Sequence, residues 1–182
     1  MSNAATVAGV VLAAGAGSRF GMPKVLAEEG AWLKRAVTAL DDGGCDEVIV
    51  VLGAAVVDVP APARAVVAGR WADGMSASVR TGLEAVDGTA EWVVLHTVDT
   101  PDIGADVVGR VLHAARTAGS GLARASYDGR PGHPVVVARR HLAALVAALH
   151  GDQGARAFLG ARDDVVGVEC GDLAAGLDID VR

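Results

Sequence analysis

The densest chemistry in this chain lies in the stretch Val11-Leu12-Ala13-Ala14-Gly15-Ala16-Gly17-Ser18-Arg19-Phe20-Gly21-Met22-Pro23-Lys24. Its small residues let backbone N–H groups come close to an anion, as phosphate-holding loops require. Two cations in the same stretch, Arg19 and Lys24, can grip a triphosphate, and Pro23 stiffens the chain beside the lysine. Of the 16 basic residues only Lys24 and Lys34 are lysines, so a lysine inside this motif stands out. The stretch is not a dinucleotide fingerprint, because Phe20 stands where the third glycine belongs. Nor is it a Walker loop, because no Gly-Lys-Ser/Thr follows. The plain alternative is a glycine-rich turn with two solvated cations.

Other candidates lie downstream. In Gly74-Met75-Ser76-Ala77-Ser78, glycine admits close approach of backbone to a planar base, and the serines offer short hydrogen-bonding groups at a helix start. A serine cap for that helix is the competing reading. Asp99 follows the apolar run Trp92–Val98, where a carboxylate can hold Mg²⁺, a hard ion that takes oxygen ligands and bridges phosphates. The competing reading is a turn aspartate, although Thr100 or Asp102 is better placed to cap a helix beginning near Ile103. Asp178 and Asp180 are two apart on an expected strand, so both face one way. They are further metal-ligand candidates, or simply solvated acids. Nothing in the sequence selects a protein nucleophile.

These residues need an edge to sit on, and the apolar pattern supplies one. Continuous apolar runs at Val7–Leu12, Val48–Leu52 and Trp92–Val98 read as buried strands, with Arg64–Ala68 a further one. Helical spacing marks Ala31–Leu40, Ser76–Val86 and Ile103–Ala118. Leu122–Tyr127 and Pro134–Ala138 flank a turn. Then come helices over Arg140–Leu149 and Ala155–Leu159, and strands over Val165–Cys170 and Gly176–Ile179. Apolar strands separated by helices predict an α/β fold, a Rossmann-like three-layer domain with a mostly parallel sheet. Ligands of such sheets bind beyond the carboxyl ends of the strands, where the glycine-rich loop and Asp99 both fall.

Composition limits the partners. The chain has 182 residues, 52% hydrophobic and 21% charged, which suits one domain spanning 1–182 with a sizeable core. The first five residues are set aside as disordered or as an expression remnant. A net charge of −6 with 3% aromatic residues argues against nucleic acid and membrane surfaces as partners. Two cysteines without metal or disulfide spacing, and no signal-like start, lead us to expect a cytoplasmic protein.

The first motif resembles the signature of the nucleotidyltransferases that finish the molybdenum cofactor, Leu-Ala-Ala-Gly-x-(Gly/Ser)-x-Arg-Phe/Met-Gly-x-Pro-Lys. Gly74–Leu83 resembles that family's base-contacting segment. Gly132-His133-Pro134-Val135 and Gly151-Asp152-Gln153-Gly154-Ala155-Arg156 resemble segments of its cytidylyltransferase branch, and the matches run from residue 7 to 180. The resemblance implies a Mg²⁺-dependent transfer of CMP from CTP to the phosphate of a molybdenum-pterin cofactor, releasing pyrophosphate. Leu12, Ala13, Ala14, Gly15, Gly17, Ser18, Gly74, Met75, Ser76 and Ser78 would bind the nucleotide. Arg19, Lys24 and Asp99 would be catalytic, Asp99 with Asp178 or Asp180 would hold the metal, and His133 would face the acceptor or fix a hairpin. Leu12-Ala13-Ala14-Gly15 follows the cytidylyl rather than the guanylyl habit.

The chain departs from the family at Asp99-Thr100-Pro101, where Asp-Met-Pro is usual, and it stops at Asp180-Val181-Arg182 without the family's Thr-Pro-Glu-Asp continuation. Alternatives are GTP as donor, a sugar phosphate or methylerythritol phosphate as acceptor, and a non-catalytic chaperone delivering the cofactor to a molybdoenzyme partner.

Overall fold

A computed structural model describes residues 5–182, so the expectation for the first residues falls, apart from Ala5, outside the described part. In chain order the elements are Val7–Ala13 (β1), Ala31–Asp42 (α1), Glu47–Leu52 (β2), Arg64–Val67 (β3), Met75–Ala85 (α2), Trp92–Thr97 (β4), Ala105–Thr117 (α3), Leu122–Tyr127 (β5), Arg130–Ala138 (β6), Leu142–Ala148 (α4), Arg156–Gly160 (α5) and Val166–Glu169 (β7).

All seven residues of β1 are buried, as expected of a strand covered on both faces. It pairs in parallel with β2 on one side and β4 on the other, and β2 pairs in parallel with β3. The sheet order is β3-β2-β1-β4-β6-β5-β7, with β6 antiparallel to both β4 and β5. On one face α1 and α3 pack through Leu33, Val37, Leu40, Val107, Val111 and Leu112. On the other, α2, α4 and α5 pack through Val79, Leu83, Leu145, Phe158 and Leu159. Each such side chain taken from water contributes about 1.5–3 kcal/mol before entropy is counted. The expected α/β architecture with a mostly parallel sheet is therefore the observed one. Among the described residues no helix is long and apolar enough to cross a membrane.

Two expectations are corrected. Gly176–Ile179 is not a strand. Its backbone is held by loops instead: Asp102 accepts the amides of Ala175 and Gly176 at 2.8 and 3.1 Å, and the Ile179 amide donates to the Asp99 carbonyl. Thus Asp102 does not cap α3, nor does Thr100. The N-cap of that helix is Gly104, which brings no side-chain cap, and the Thr100 hydroxyl is buried against Thr97. A third difference is one of extent. β6 begins at Arg130, four residues before the expected Pro134. Its early part, with Pro131, pairs only with β5, so the missing proline N–H leaves no ladder bond unmade on the β4 side.

Candidate active site

The loop after β1 and the residues after β4 meet at the carboxyl edge of the sheet, because Leu12 and Thr97 lie side by side in register. They enclose a cleft of about 480 Å³ whose wall includes Ala13–Ser18, Arg19, Lys24, Gly74, Met75, Ser78 and Asp99. Gly17 has φ +65°, and a Cβ there would strike the Met22 carbonyl. That contact folds the loop back on itself, a conformation open to glycine and costly for other residues. Gly74, at φ +118°, starts α2, and a Cβ on it would lie 2.6 Å from the Gly151 carbonyl oxygen. The 151–154 segment closes against α2 at this point.

Ser76 and Ser78 are both buried but differ in task. Ser78 faces the cleft. The Ser76 hydroxyl accepts the Gly154 amide at 3.2 Å, and the Ser76 amide donates to the Gly151 carbonyl. Ser76 therefore fastens the neighbouring loop. Neither serine caps α2, whose N-cap is Gly74.

Charge gathers at one corner. Lys24 Nζ donates to Asp99 Oδ2 at 3.0 Å and to Asp180 Oδ1 at 2.8 Å, and Arg19 lies 3.4 Å from the other Asp180 oxygen. Burial alone would lower the Lys24 pKa, but Asp180 and Asp99 outweigh it and raise the value above the ordinary one. The lysine is thus held charged. Its hydrogen bond in turn lowers the Asp180 pKa, opposed by burial and helped by the charges of Lys24 and Arg19. Asp99 Oδ1 is buried without a hydrogen-bond partner. A buried carboxylate oxygen left bare costs free energy unless something charged meets it, so the donor set fits a divalent cation here. Among the described residues no three of His, Cys, Asp and Glu cluster as a metal cage. An ion that takes one or two carboxylates plus substrate phosphates needs no such cage.

A second cleft of about 520 Å³ shares Leu12, Met75, Thr97, Asp152 and Asp180 with the first, and adds Arg124, His133, Arg156 and Asp178. Asp180 lies in both clefts and Asp178 only in this one. Asp178 keeps an exposed edge, yet burial of its carboxyl and the nearby carboxylates of Asp99 and Asp180 raise its pKa, against the pull of Lys24 and Arg156. The half-buried imidazole of His133 is pushed down to about 4, by burial first and helped by Arg124, with Asp99 opposing. It is neutral at physiological pH. Its backbone carbonyl accepts the Tyr127 hydroxyl at 2.6 Å, so the residue also belongs to the hairpin, as its alternative reading held.

Sequence reasoning gave no role to Asp152 and Arg124, both of which line these clefts. Arg124 carried one signal: a charged residue between two alanines inside a strand that is otherwise buried except at Ser126.

A family model described as MobA-like NTP transferase domain matches residues 9–165. Among curated proteins, nicotine blue oxidoreductase of Paenarthrobacter nicotinovorans is 37% identical over 193 residues, covering 96% of this chain and 92% of its own. A crystal structure of Rv0371c from Mycobacterium tuberculosis H37Rv superposes with TM-score 0.77 and 25% identity, over 98% of this chain and 94% of that one. The same protein in complex with manganese matches with TM-score 0.71 and 24% identity, over 96% and 94%.

Proposed function

Because the chain belongs to the MobA-like NTP transferase domain family and is a nucleotidyltransferase in type, we propose that it transfers CMP from CTP to the phosphate of a molybdenum-pterin acceptor in the cytoplasm. The observation that carries this reading is the Lys24 ammonium set between Asp99 and Asp180 beside a glycine-rich loop. The loop amides of Ala13–Ser18 bind the triphosphate. Ser78 and Met75 line the place of the base, and Gly74 lets backbone approach it.

An oxygen of the acceptor phosphate attacks the α-phosphorus from the second cleft. The bond from that phosphorus to the bridging oxygen breaks, and pyrophosphate departs with the electron pair. Arg19 and Lys24 stabilise the charge growing on the pyrophosphate, which is catalysis by positioning and electrostatics. Asp99 with Asp180 would hold Mg²⁺, which supplies neutralisation of the phosphate charge when bound; the manganese complex of the Mycobacterium tuberculosis protein supports a divalent ion in this fold. Asp178, further from Lys24, holds charge at the acceptor side, and His133 offers a neutral imidazole to the acceptor.

The name of the Paenarthrobacter nicotinovorans relative favours a second reading, an oxidoreductase. Its electron donor would be a nicotinamide dinucleotide whose pyrophosphate lies on the same loop. Phe20, where a dinucleotide loop has its third glycine, weighs against it.

Thermal stability measured with CTP, GTP, ATP and UTP, each with and without Mg²⁺, and with NADH and NADPH, separates these readings, since a ligand that binds the native state raises its stability. The expected shift is confined to CTP with Mg²⁺. Preference for GTP moves the donor to the guanylyl type, and a shift with a dinucleotide alone supports the redox reading. No shift with any nucleotide overturns both.

A further inference from the structure

The charged side chains of the protein sort by partner. Of the 14 arginines, six reach a carboxylate, among them Arg19, Arg110 and Arg162. Five more donate to backbone carbonyls, among them Arg80 and Arg139, and Arg182 stacks over Phe20. Among the described residues only Arg124 and Arg156 have no such partner, and both line the second cleft. Arg124 is half-buried, and its Nε is buried with no hydrogen bond. Burial, and then the neighbouring Arg156 charge, lower its pKa. The carboxylates of Asp152, Asp178 and Asp180 share this cleft, yet neither arginine makes an ion pair with them, and two unpaired like charges on one wall cost the unliganded protein free energy. A planar guanidinium with unused donors is suited to a phosphate oxygen pair.

We infer that Arg124 and Arg156 form an anion site, distinct from the Arg19–Lys24 grip, that binds the phosphomonoester group of the acceptor and sets the specificity of the second cleft for phosphorylated acceptors. The inference rests on the nucleotidyl-transfer reading, which makes the second cleft the acceptor's. Arg124 comes from the middle of β5, in the rigid sheet, and fixes where the phosphate lies. Arg156, exposed at the start of α5, closes on it from the loop side. His133, neutral above about pH 4, contributes a hydrogen bond and no charge. Asp178, on the same wall, keeps the anion from settling deeper toward Asp99.

The test is calorimetric titration of phenyl phosphate into protein already saturated with CTP and Mg²⁺, so that the first cleft is occupied. Wild-type protein is expected to bind it. Arg124→Gln and Arg156→Gln are expected to weaken that binding about tenfold or more each, the scale of a lost charge-assisted hydrogen bond, with CTP affinity unchanged. Arg124→Lys recovers part of it, having charge without the fork. Arg156→Gln changes an exposed residue, so it reports even if Arg124→Gln fails to fold. Unchanged phenyl phosphate affinity in folded variants that still bind CTP overturns the site. If CTP itself does not bind, the nucleotidyl reading fails. The same titration into nucleotide-free Lys24→Ala protein, whose grip on phosphate in the first cleft is weakened, then tests the arginine pair alone: loss of binding on adding Arg156→Gln supports it, and no change overturns it.

Discussion

The two clefts share a wall and differ in how their cations are held. In the first, Lys24 lies between two carboxylates and Arg19 touches one of them. In the second, Arg124 and Arg156 line the cavity with no carboxylate or carbonyl hydrogen-bonded to them among the described residues, and the Arg124 Nε is buried without a partner. A paired cation is oriented before the substrate arrives, and the pair limits what an incoming anion adds. Under the proposed function, a divalent ion held by Asp99 and Asp180 would free Lys24 to meet phosphate, so that the lysine would exchange one anionic partner for another. An unpaired cation gains its counter-charge from the ligand, so binding relieves a cost already present in the free protein. The first arrangement suits a site where charge develops during reaction, and the second a site that selects its ligand by charge.

The largest expected break in that comparison is Lys24→Ala. Turnover should fall about 10²–10³-fold, the usual loss for one electrostatic stabiliser of a transition state, while the melting temperature falls far less, by the cost of leaving Asp99 and Asp180 without their shared cation at the start of the short 3₁₀ turn Lys24–Gly30. Steady-state kinetics beside a thermal melt checks this, and equal loss of folding and activity would remove Lys24 from catalysis.

Acid should come next. His133 and His96 are both depressed, to about 4 and about 3, by burial first. Folded protein therefore binds fewer protons than unfolded chain below the ordinary histidine value of about 6.5. Stability is expected to be unaffected by these groups above that pH. It should fall as the pH drops toward 4, by up to about 1.4 kcal/mol per pH unit for each histidine. Denaturation curves at several pH values measure the slope, and His133→Asn should make it shallower.

Asp180→Asn is a smaller change. It removes one of two partners of Lys24, and Asp180 is partly exposed, so stability should fall by less than about 1 kcal/mol in denaturant melts. Asp99 should still hold the lysine in place. Smallest of all, Arg124→Gln should leave stability unchanged or raise it slightly, since it removes a half-buried cation with no partner. A clear loss of stability there would show that Arg124 has a structural partner after all, and the contrast between the clefts would fail.

The first cleft was legible in the sequence because its parts are local. Gly17 is demanded by a backbone reversal within a few residues, Lys24 follows a proline, and Asp99 ends an apolar strand, so spacing alone places them at the carboxyl edge. The second cleft is assembled from β5, β6, the 151–156 segment and the tail, and no local pattern joins Arg124 to Arg156 across the chain. The place of Arg124 between two alanines in β5 does not say what it faces. The expected strand at Gly176–Ile179 failed for a similar reason. Its apolar residues read as a strand, but no sheet edge is offered to it, and its amides are taken by Asp102 and the Asp99 carbonyl instead. Short runs near a terminus carry too little periodicity to tell a paired strand from an extended strap. Likewise Ser76, expected as a base contact or a cap, does not cap the helix, and its hydroxyl accepts an amide from a segment 78 residues away, a contact between distant parts of the chain that no local pattern announces.

The most direct test of the account is pyrophosphate release from CTP with Mg²⁺ and the molybdenum-pterin acceptor, wild type against Lys24→Ala. The account predicts acceptor-dependent pyrophosphate from the wild type and a loss of roughly 10²-fold or more in the variant. Pyrophosphate absent from the wild type with each of the four nucleoside triphosphates, while NADPH or NADH is oxidised in the presence of an added electron acceptor, would contradict it and assign the glycine-rich loop to redox chemistry.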